Sequence, residues 1–124
     1  MKEEVKVSAV QFSVEHLQLE RNIERMRSFV AAEAEKGAEL IVFPELANIG
    51  YIKPTMPGES MDPNESFAEW ASRYWRAAET IPGPTTEALL ELTKKYNVYV
   101  VVGMAQQHPT ITGTLYNSAA LLVV

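Results

Sequence analysis

Residues Gly37–Glu45 have the sequence GAELIVFPE. This segment predicts the end of a helix, then a buried strand, and then the residue that follows that strand. Gly37 is the residue type that commonly ends a helix. The apolar run Leu40–Phe43 shows no alternation, which predicts a short strand buried on both faces. Pro44 cannot donate to a sheet ladder, so the strand should end there. Glu45 would then follow the carboxyl end of a strand, where ligands bind in α/β sheets.

The residues before this segment complete a βαβ pattern. Residues 5–12 alternate between apolar and polar and then become mostly apolar, which predicts a strand. A long helix should follow, because Leu19, Ile23, Met26 and Val30 recur at helical spacing. A strand, an amphipathic helix and a second strand favour parallel pairing of the two strands.

Two more helices are predicted after an irregular stretch. The first should begin with Asp62 as N-cap and Pro63 at the first helical position, with Glu65 closing a capping box. The second should span about residues 85–96, after the rigid turn Ile81–Pro84. These helices would bring the total to three.

Two further strands are predicted at Val98–Ala105 and Leu115–Val124. Gly103 in the middle of the first one suggests a bulge or a close approach of another backbone. The last strand runs to Val124 without a turn residue or a polar tail, whereas domains usually end at a polar surface. We therefore expect residues 1–124 to be the N-terminal portion of a longer domain, truncated in or just after the fourth strand.

The composition narrows the function classes. The chain has 124 residues and a net charge of −5, which argues against a nucleic-acid-binding face and, more weakly, against an anionic membrane surface. It has no cysteine, so disulfides and cysteine-bound zinc are excluded. His16 and His108 lack metal-ligand spacing and are expected to be solvated. No metal or cofactor is predicted, and with no secretory signal we expect a cytoplasmic protein.

Glu45 is the candidate catalytic residue, and two interpretations remain open from its position alone. It could be an ordinary solvated glutamate in the loop after a strand. It could also be a proton acceptor, because carboxylates held beside apolar surface at a strand end are often used for proton transfer. Tyr51 is a candidate substrate-binding residue, since its ring is apolar and its tip polar. Asn117 is interpreted as a structural hydrogen bonder at a strand start.

Several short segments support the catalytic interpretation by their order and spacing. They are Ala9–Gln11, Gly37–Leu46, Gly50–Tyr51, Ile81–Pro84, Tyr96–Gly103 and Leu115–Ala119. In this arrangement the chain resembles the N-terminal part of the nitrilase superfamily, the carbon–nitrogen hydrolases. The resemblance implies the first half of an αββα sandwich, with a mixed sheet and helices on one face.

The resemblance also implies a Glu-Lys-Cys mechanism. Glu45 matches the family's general base, while the lysine and the cysteine nucleophile would lie beyond Val124. Lys94 and Lys95 match an outer helix and are not candidates for the catalytic lysine. The implied substrates are small amides, carbamoyl compounds or nitriles, with amides and carbamoyl compounds favoured over nitriles, and the implied assembly is a homo-oligomer.

A second hypothesis is a non-catalytic interaction module, a split or decayed relative whose open sheet pairs with another chain. In either case the 124-residue chain alone is expected to be inactive, because it has no cysteine.

Overall fold

The structure is a computed structural model that describes residues 2–51 and 64–124. Its elements, in chain order, are β1 (Val7–Ala9), α1 (Leu19–Glu35), β2 (Leu40–Val42), α2 (Phe67–Ala77), α3 (Pro84–Tyr96), β3 (Tyr99–Gln107) and β4 (Leu115–Leu122). The predicted strands and helices are all present, although β1 is shorter than the predicted 5–12.

The four strands form one mixed sheet in the order β1-β2-β3-β4. β1, β2 and β3 are parallel, with Val7 beside Leu40 and Leu40 beside Tyr99. β4 runs antiparallel to β3. The parallel pairing predicted for the first βαβ unit is therefore confirmed, and the carboxyl ends of β1 and β2 lie at the same edge.

α1 and α3 cover one face of this sheet and form the main core with it. Met26 and Val30 of α1 and Leu89 of α3 are fully buried against Val100 and Val102 of β3. These apolar positions lie about one helical turn apart on α1 and on alternate residues of β3, as the two periodicities require. α2 belongs to a second apolar cluster, which packs against the loop after β2.

The opposite face of the sheet is largely uncovered. Val7, Tyr99 and Leu121, on three different strands, are each at least half exposed. The prediction that β2 is buried on both faces is only half right: Ile41 is fully buried, but Leu40 and Val42 are half-buried. They point to the face that α1 and α3 do not cover.

The predicted start of α2 is wrong. Asp62 and Pro63 lie outside the described residues, and Glu65 precedes the helix, where it pairs with Arg73 at 2.8 Å. The helix begins at Phe67, after Ser66 as N-cap. Ser66 and Glu69 form a capping box of their own, with bonds of 3.2 and 2.7 Å. A serine followed three residues later by a glutamate is the stronger signal, because both partners are ideal for the motif.

Candidate active site

The loop after β2 continues beside β3 instead of leaving the sheet. Phe43 N–H donates to Val101 O at 2.8 Å, and Ala47 N–H donates to Gly103 O at 2.8 Å. The main chain between these two bonds, which includes Glu45, is thereby fixed at both ends. The candidate base is thus carried by backbone that is attached to the central strand.

Gly103 lets this loop pass very close to β3. A Cβ atom added to Gly103 would lie 2.4 Å from Pro44 O and 2.6 Å from Glu45 Cα. Contacts this short do not occur, so any other residue would push the loop away. The close backbone approach predicted at Gly103 is confirmed, and its partner is the segment that bears Glu45. Leu46 completes the bend with a positive φ of 50°.

A buried asparagine attaches the end of the same loop to β3. Asn48 Oδ1 accepts a hydrogen bond from Ala105 N–H at 2.9 Å, and Asn48 Nδ2 donates to Ala105 O at 3.1 Å. The side-chain amide of Asn48 therefore makes the same two kinds of hydrogen bond to β3, one accepted and one donated, that the backbone of a neighbouring strand would make. Asn48 O in turn accepts from Asn22 Nδ2 of α1 at 2.9 Å. Both asparagines are fully buried.

Glu79 is a buried carboxylate that sequence reasoning missed. Its side chain accepts hydrogen bonds from Asn48 Nδ2 at 2.8 Å, Thr85 N–H at 2.6 Å and Thr85 Oγ1–H at 2.6 Å. Only 4% of Glu79 is exposed, and such burial is tolerated only when the carboxylate is well bonded. The sequence signal available for this role was the position of Glu79, just before the turn Ile81–Pro84 and the helix start that contains Thr85.

Glu45 and Tyr51, the two predicted site residues, line one cleft of about 330 Å³ at the carboxyl end of β2. Glu45 is exposed to this cleft, and Tyr51 is 51% exposed. The other lining residues come from the segment after β1 and from the loop after β2: Gln11, Phe12, Ser13, Val14, His16, Pro44 and Gly50. The cleft thus lies where the parallel strands end.

Aromatic side chains support the wall of the cleft. Trp70 Nε1–H donates to His16 Nε2 at 3.3 Å, and the planes of the two rings are nearly parallel, at an interplanar angle of 3°. Tyr74 O–H donates to Gly50 O at 2.6 Å, and burial raises the pKa of Tyr74 to about 12. The expectation that His16 is solvated is therefore wrong, because α2 packs against it.

Asn117 of β4 contacts Glu45 in the fold, although the two residues are 72 positions apart in the sequence. Its Nδ2–H donates a hydrogen bond to Glu45 Oε1. The interpretation of Asn117 as a side-chain hydrogen bonder is confirmed, but its partner is the candidate base. The sequence offered no signal for this pairing.

The remaining candidates lie elsewhere or form no site. Lys94 and Lys95 are in the last turn of α3, which leads into the start of β3 and so lies away from the strand ends that hold Glu45. Within residues 2–51 and 64–124, no cluster of acidic or histidine side chains is suited to a metal ion. In the same residues no helix has the length and apolar character needed to cross a membrane.

Comparisons with known proteins give a consistent result. A sequence profile described as carbon-nitrogen hydrolase matches residues 6–123. Nitrilase 2 of Arabidopsis thaliana is 34% identical over 104 residues, which is 83% of this chain and 31% of that protein. A nitrilase of Pyrococcus abyssi is 29% identical over 119 residues, covering 95% of this chain and 38% of that protein. The chain thus spans about a third of the length of these relatives.

Solved structures share the fold. Nit3 of Saccharomyces cerevisiae, a member of branch 10 of the nitrilase superfamily, superposes with a TM-score of 0.68 at 19% identity, covering 96% of this chain and 40% of that one. An amidase from Nesterenkonia sp. gives a TM-score of 0.61 at 16% identity, covering 94% and 37%. The four-stranded sheet and its helices therefore correspond to part of a nitrilase-type fold.

Proposed function

Since this chain belongs to the carbon–nitrogen hydrolase family, we propose that it forms the N-terminal part of an enzyme that cleaves carbon–nitrogen bonds of small amides, carbamoyl compounds or nitriles. Glu45 is its general base. The observation that carries this proposal is the position of Glu45, which lines a cleft at the carboxyl end of β2 on a loop attached to β3.

The nucleophile has to come from outside these 124 residues, because they contain no cysteine. We propose that the cysteine and a lysine lie further along a longer polypeptide, as the family resemblance implies. The share of the relatives that this chain covers, about a third, leaves room for both. The chain alone is then inactive, and Tyr51 supplies part of the wall of the substrate pocket.

For an amide the proposed reaction has two stages. Glu45 takes the proton of the cysteine thiol while the sulfur attacks the carbonyl carbon, and the lysine stabilises the negative charge on the tetrahedral oxygen. The carbon–nitrogen bond then breaks, and ammonia leaves with the proton that Glu45 returns. Water, deprotonated by Glu45, hydrolyses the resulting thioester to a carboxylic acid and the free thiol.

The proposal covers both amides and nitriles because each presents an electrophilic carbon bonded to nitrogen. A nitrile would first give a thioimidate, which water converts to the same thioester with loss of ammonia. The curated relatives named above are nitrilases, whereas the solved structures include an amidase. We favour amides and carbamoyl compounds, and we propose a homo-oligomeric assembly.

The test is Glu45→Gln in the longer protein that contains this chain. Ammonia release should be measured with a panel of primary amides, carbamoyl compounds, and aliphatic and aromatic nitriles. Loss of a general base should lower kcat about 10²- to 10⁴-fold. Glu91→Gln is the control, because Glu91 lies on α3 and pairs with Arg27 at the surface. Unchanged turnover in Glu45→Gln would reject the assignment.

The non-catalytic interaction module remains a second candidate. The observation that favours it is the uncovered sheet face around Val7, Tyr99 and Leu121, which a partner chain could cover. The coding frame after Val124 separates the two functions. A stop codon there supports the module, and a continuing frame with a nearby lysine and a later cysteine supports the enzyme.

A further inference from the structure

We propose that Asn117 is a positioning residue that orients the carboxylate of Glu45, an inference that rests on the proposed role of Glu45 as general base. The amide of Asn117 holds one carboxylate oxygen and thereby aims the other at the nucleophile. Asn117 itself would contact neither the substrate nor the thiol.

The register of the sheet brings these two residues to the same face. Asn117 pairs with Ala105, and Ala119 pairs with Gly103. Directly paired residues of neighbouring strands project to the same face, as do residues two apart on one strand. Asn117 therefore projects on the side where a Gly103 side chain would stand, which is the side occupied by the Glu45 backbone.

Both the backbone and the side chain of Glu45 have to be held in place, because a glutamate has a long, flexible side chain. The backbone of Glu45 is fixed by the bonds of Phe43 and Ala47 to β3. Those bonds leave the side-chain torsions free to rotate. The hydrogen bond from Asn117 Nδ2–H to Glu45 Oε1 restricts them, and a donor to a carboxylate forms one of the stronger hydrogen bonds in proteins.

The bond also makes the two oxygens of Glu45 inequivalent. Oε1 is occupied by Asn117, whereas Oε2 accepts no hydrogen bond from residues 2–51 and 64–124. In this proposal Oε2, which accepts no bond from those residues, takes the thiol proton. Catalytic efficiency is sensitive to misplacement of the order of 1 Å, so loss of this orientation should be visible in turnover.

The alternative is that Asn117 only stabilises the fold. Among the described residues Asn117 is exposed on β4, so its side chain fills no cavity there, and the unfolding temperature of the longer protein reports any contact it makes with the rest of the sandwich. A stabilising role would lower the unfolding temperature and leave the kcat of the folded enzyme unchanged. A positioning role predicts the reverse.

The experiment uses the longer protein and a primary amide that it hydrolyses. Asn117→Leu, which keeps the size and removes the donor, should lower kcat about 10- to 100-fold and change KM less than about twofold. Asn117→Asp, which places a second carboxylate beside Glu45, should lower it at least as much. Asn117→Gln keeps the donor and should restore part of the activity. The unfolding temperature should stay close to that of the parent.

Ser118→Ala is the matched control. Ser118 is the next residue of β4, and its Oγ–H donates to Gln106 Oε1 at 2.6 Å, on the other face. Its kcat should equal that of the parent. If Asn117→Leu keeps full kcat, the inference is overturned, whatever Asn117→Asp does.

A double variant separates this inference from the proposed function. If Asn117 acts through Glu45, adding Asn117→Leu to Glu45→Gln should cause no further loss of residual activity. A further loss of the same size as in the single variant would overturn the positioning role. If Glu45→Gln itself leaves activity unchanged, the proposed function fails first. Full activity in Asn117→Leu with loss in Glu45→Gln rejects only the inference.

Discussion

At the scale of single residues, two residues position Glu45 in the candidate site: Gly103, which has no side chain, and Asn117, which has an amide. Gly103 leaves the space that the Pro44–Glu45 backbone occupies where it passes close to β3. Asn117 then reaches the carboxylate from the neighbouring strand. Gly103 and Asn117, which are both far from Glu45 in the sequence, therefore determine where Glu45 lies.

Gly103→Ala is the direct test of this close approach. The added methyl group would stand 2.4 Å from Pro44 O, so the loop has to move. We expect a loss of about 1–3 kcal/mol in the free energy of unfolding, which is typical of overpacking, and a lower kcat because Glu45 moves with the loop. Urea unfolding and ammonia release of the longer protein measure the two effects.

Gly113→Ala serves as the contrasting variant. Its added methyl group would meet no atom within 4 Å, but its φ of 83° disfavours any other residue. It should therefore lose about 1–2 kcal/mol of stability and keep its kcat. Equal kcat in Gly103→Ala and the parent would show that the close approach does not control Glu45.

At the scale of secondary-structure elements, Glu79 joins three parts of the molecule. Its carboxylate binds the N-terminus of α3 through Thr85 and the loop after β2 through Asn48. Its own backbone pairs with β3, where Gln107 N–H donates to Glu79 O at 2.7 Å. Carboxylates are favoured at helix N-termini, so one side chain both caps α3 and supports the loop of Glu45.

Glu79→Leu should be strongly destabilising. It removes three hydrogen bonds to a charged group and leaves one N–H of Asn48 and both donors of Thr85 buried without partners, while Asn48 Nδ2 keeps its bond to Ala105 O. We expect a loss of about 2–4 kcal/mol in the free energy of unfolding, measured by urea denaturation.

Glu87→Gln is the control for Glu79→Leu, since Glu87 lies on the same helix and is exposed. It should change stability by less than about 0.5 kcal/mol. If the two variants unfold at the same urea concentration, the network around Glu79 has no structural importance.

At the scale of the whole molecule, the sheet has one covered and one open face. α1 and α3 bury the first, while Val7, Tyr99 and Leu121 expose apolar surface on the second. Contiguous apolar surface of this kind usually marks an interaction site. In the proposed enzyme the remainder of an αββα sandwich would cover it.

The isolated 124-residue chain should therefore self-associate or bind a hydrophobic dye, and it should release no ammonia from amides or nitriles. Leu121→Ser should reduce the dye fluorescence. Ile111→Ser should not, because Ile111 is similarly exposed but lies on the connection between β3 and β4. A compact monomer without dye binding would contradict the half-sandwich, and turnover that depends on Glu45 would contradict the need for an external cysteine.

Local patterns determined the elements and their order. The apolar run before Pro44, the helical spacing of Met26 and Val30, and the glycine at position 37 act over a few residues, so the sequence alone predicted β2, α1 and the boundary between them. The start of α2 was missed by a few residues because two capping signals compete there, and Ser66 with Glu69 forms the cap.

The partners of polar side chains were decided only by the tertiary structure. Asn117 and Glu45 are 72 residues apart, and Asn48 and Glu79 are 31 apart. A hydrogen bond depends on two atoms that meet within about 3 Å, and strand register and loop path control such a meeting. The sequence therefore identified Glu45 as the candidate base, while its orientation and its support followed from strands and loops that come together only on folding.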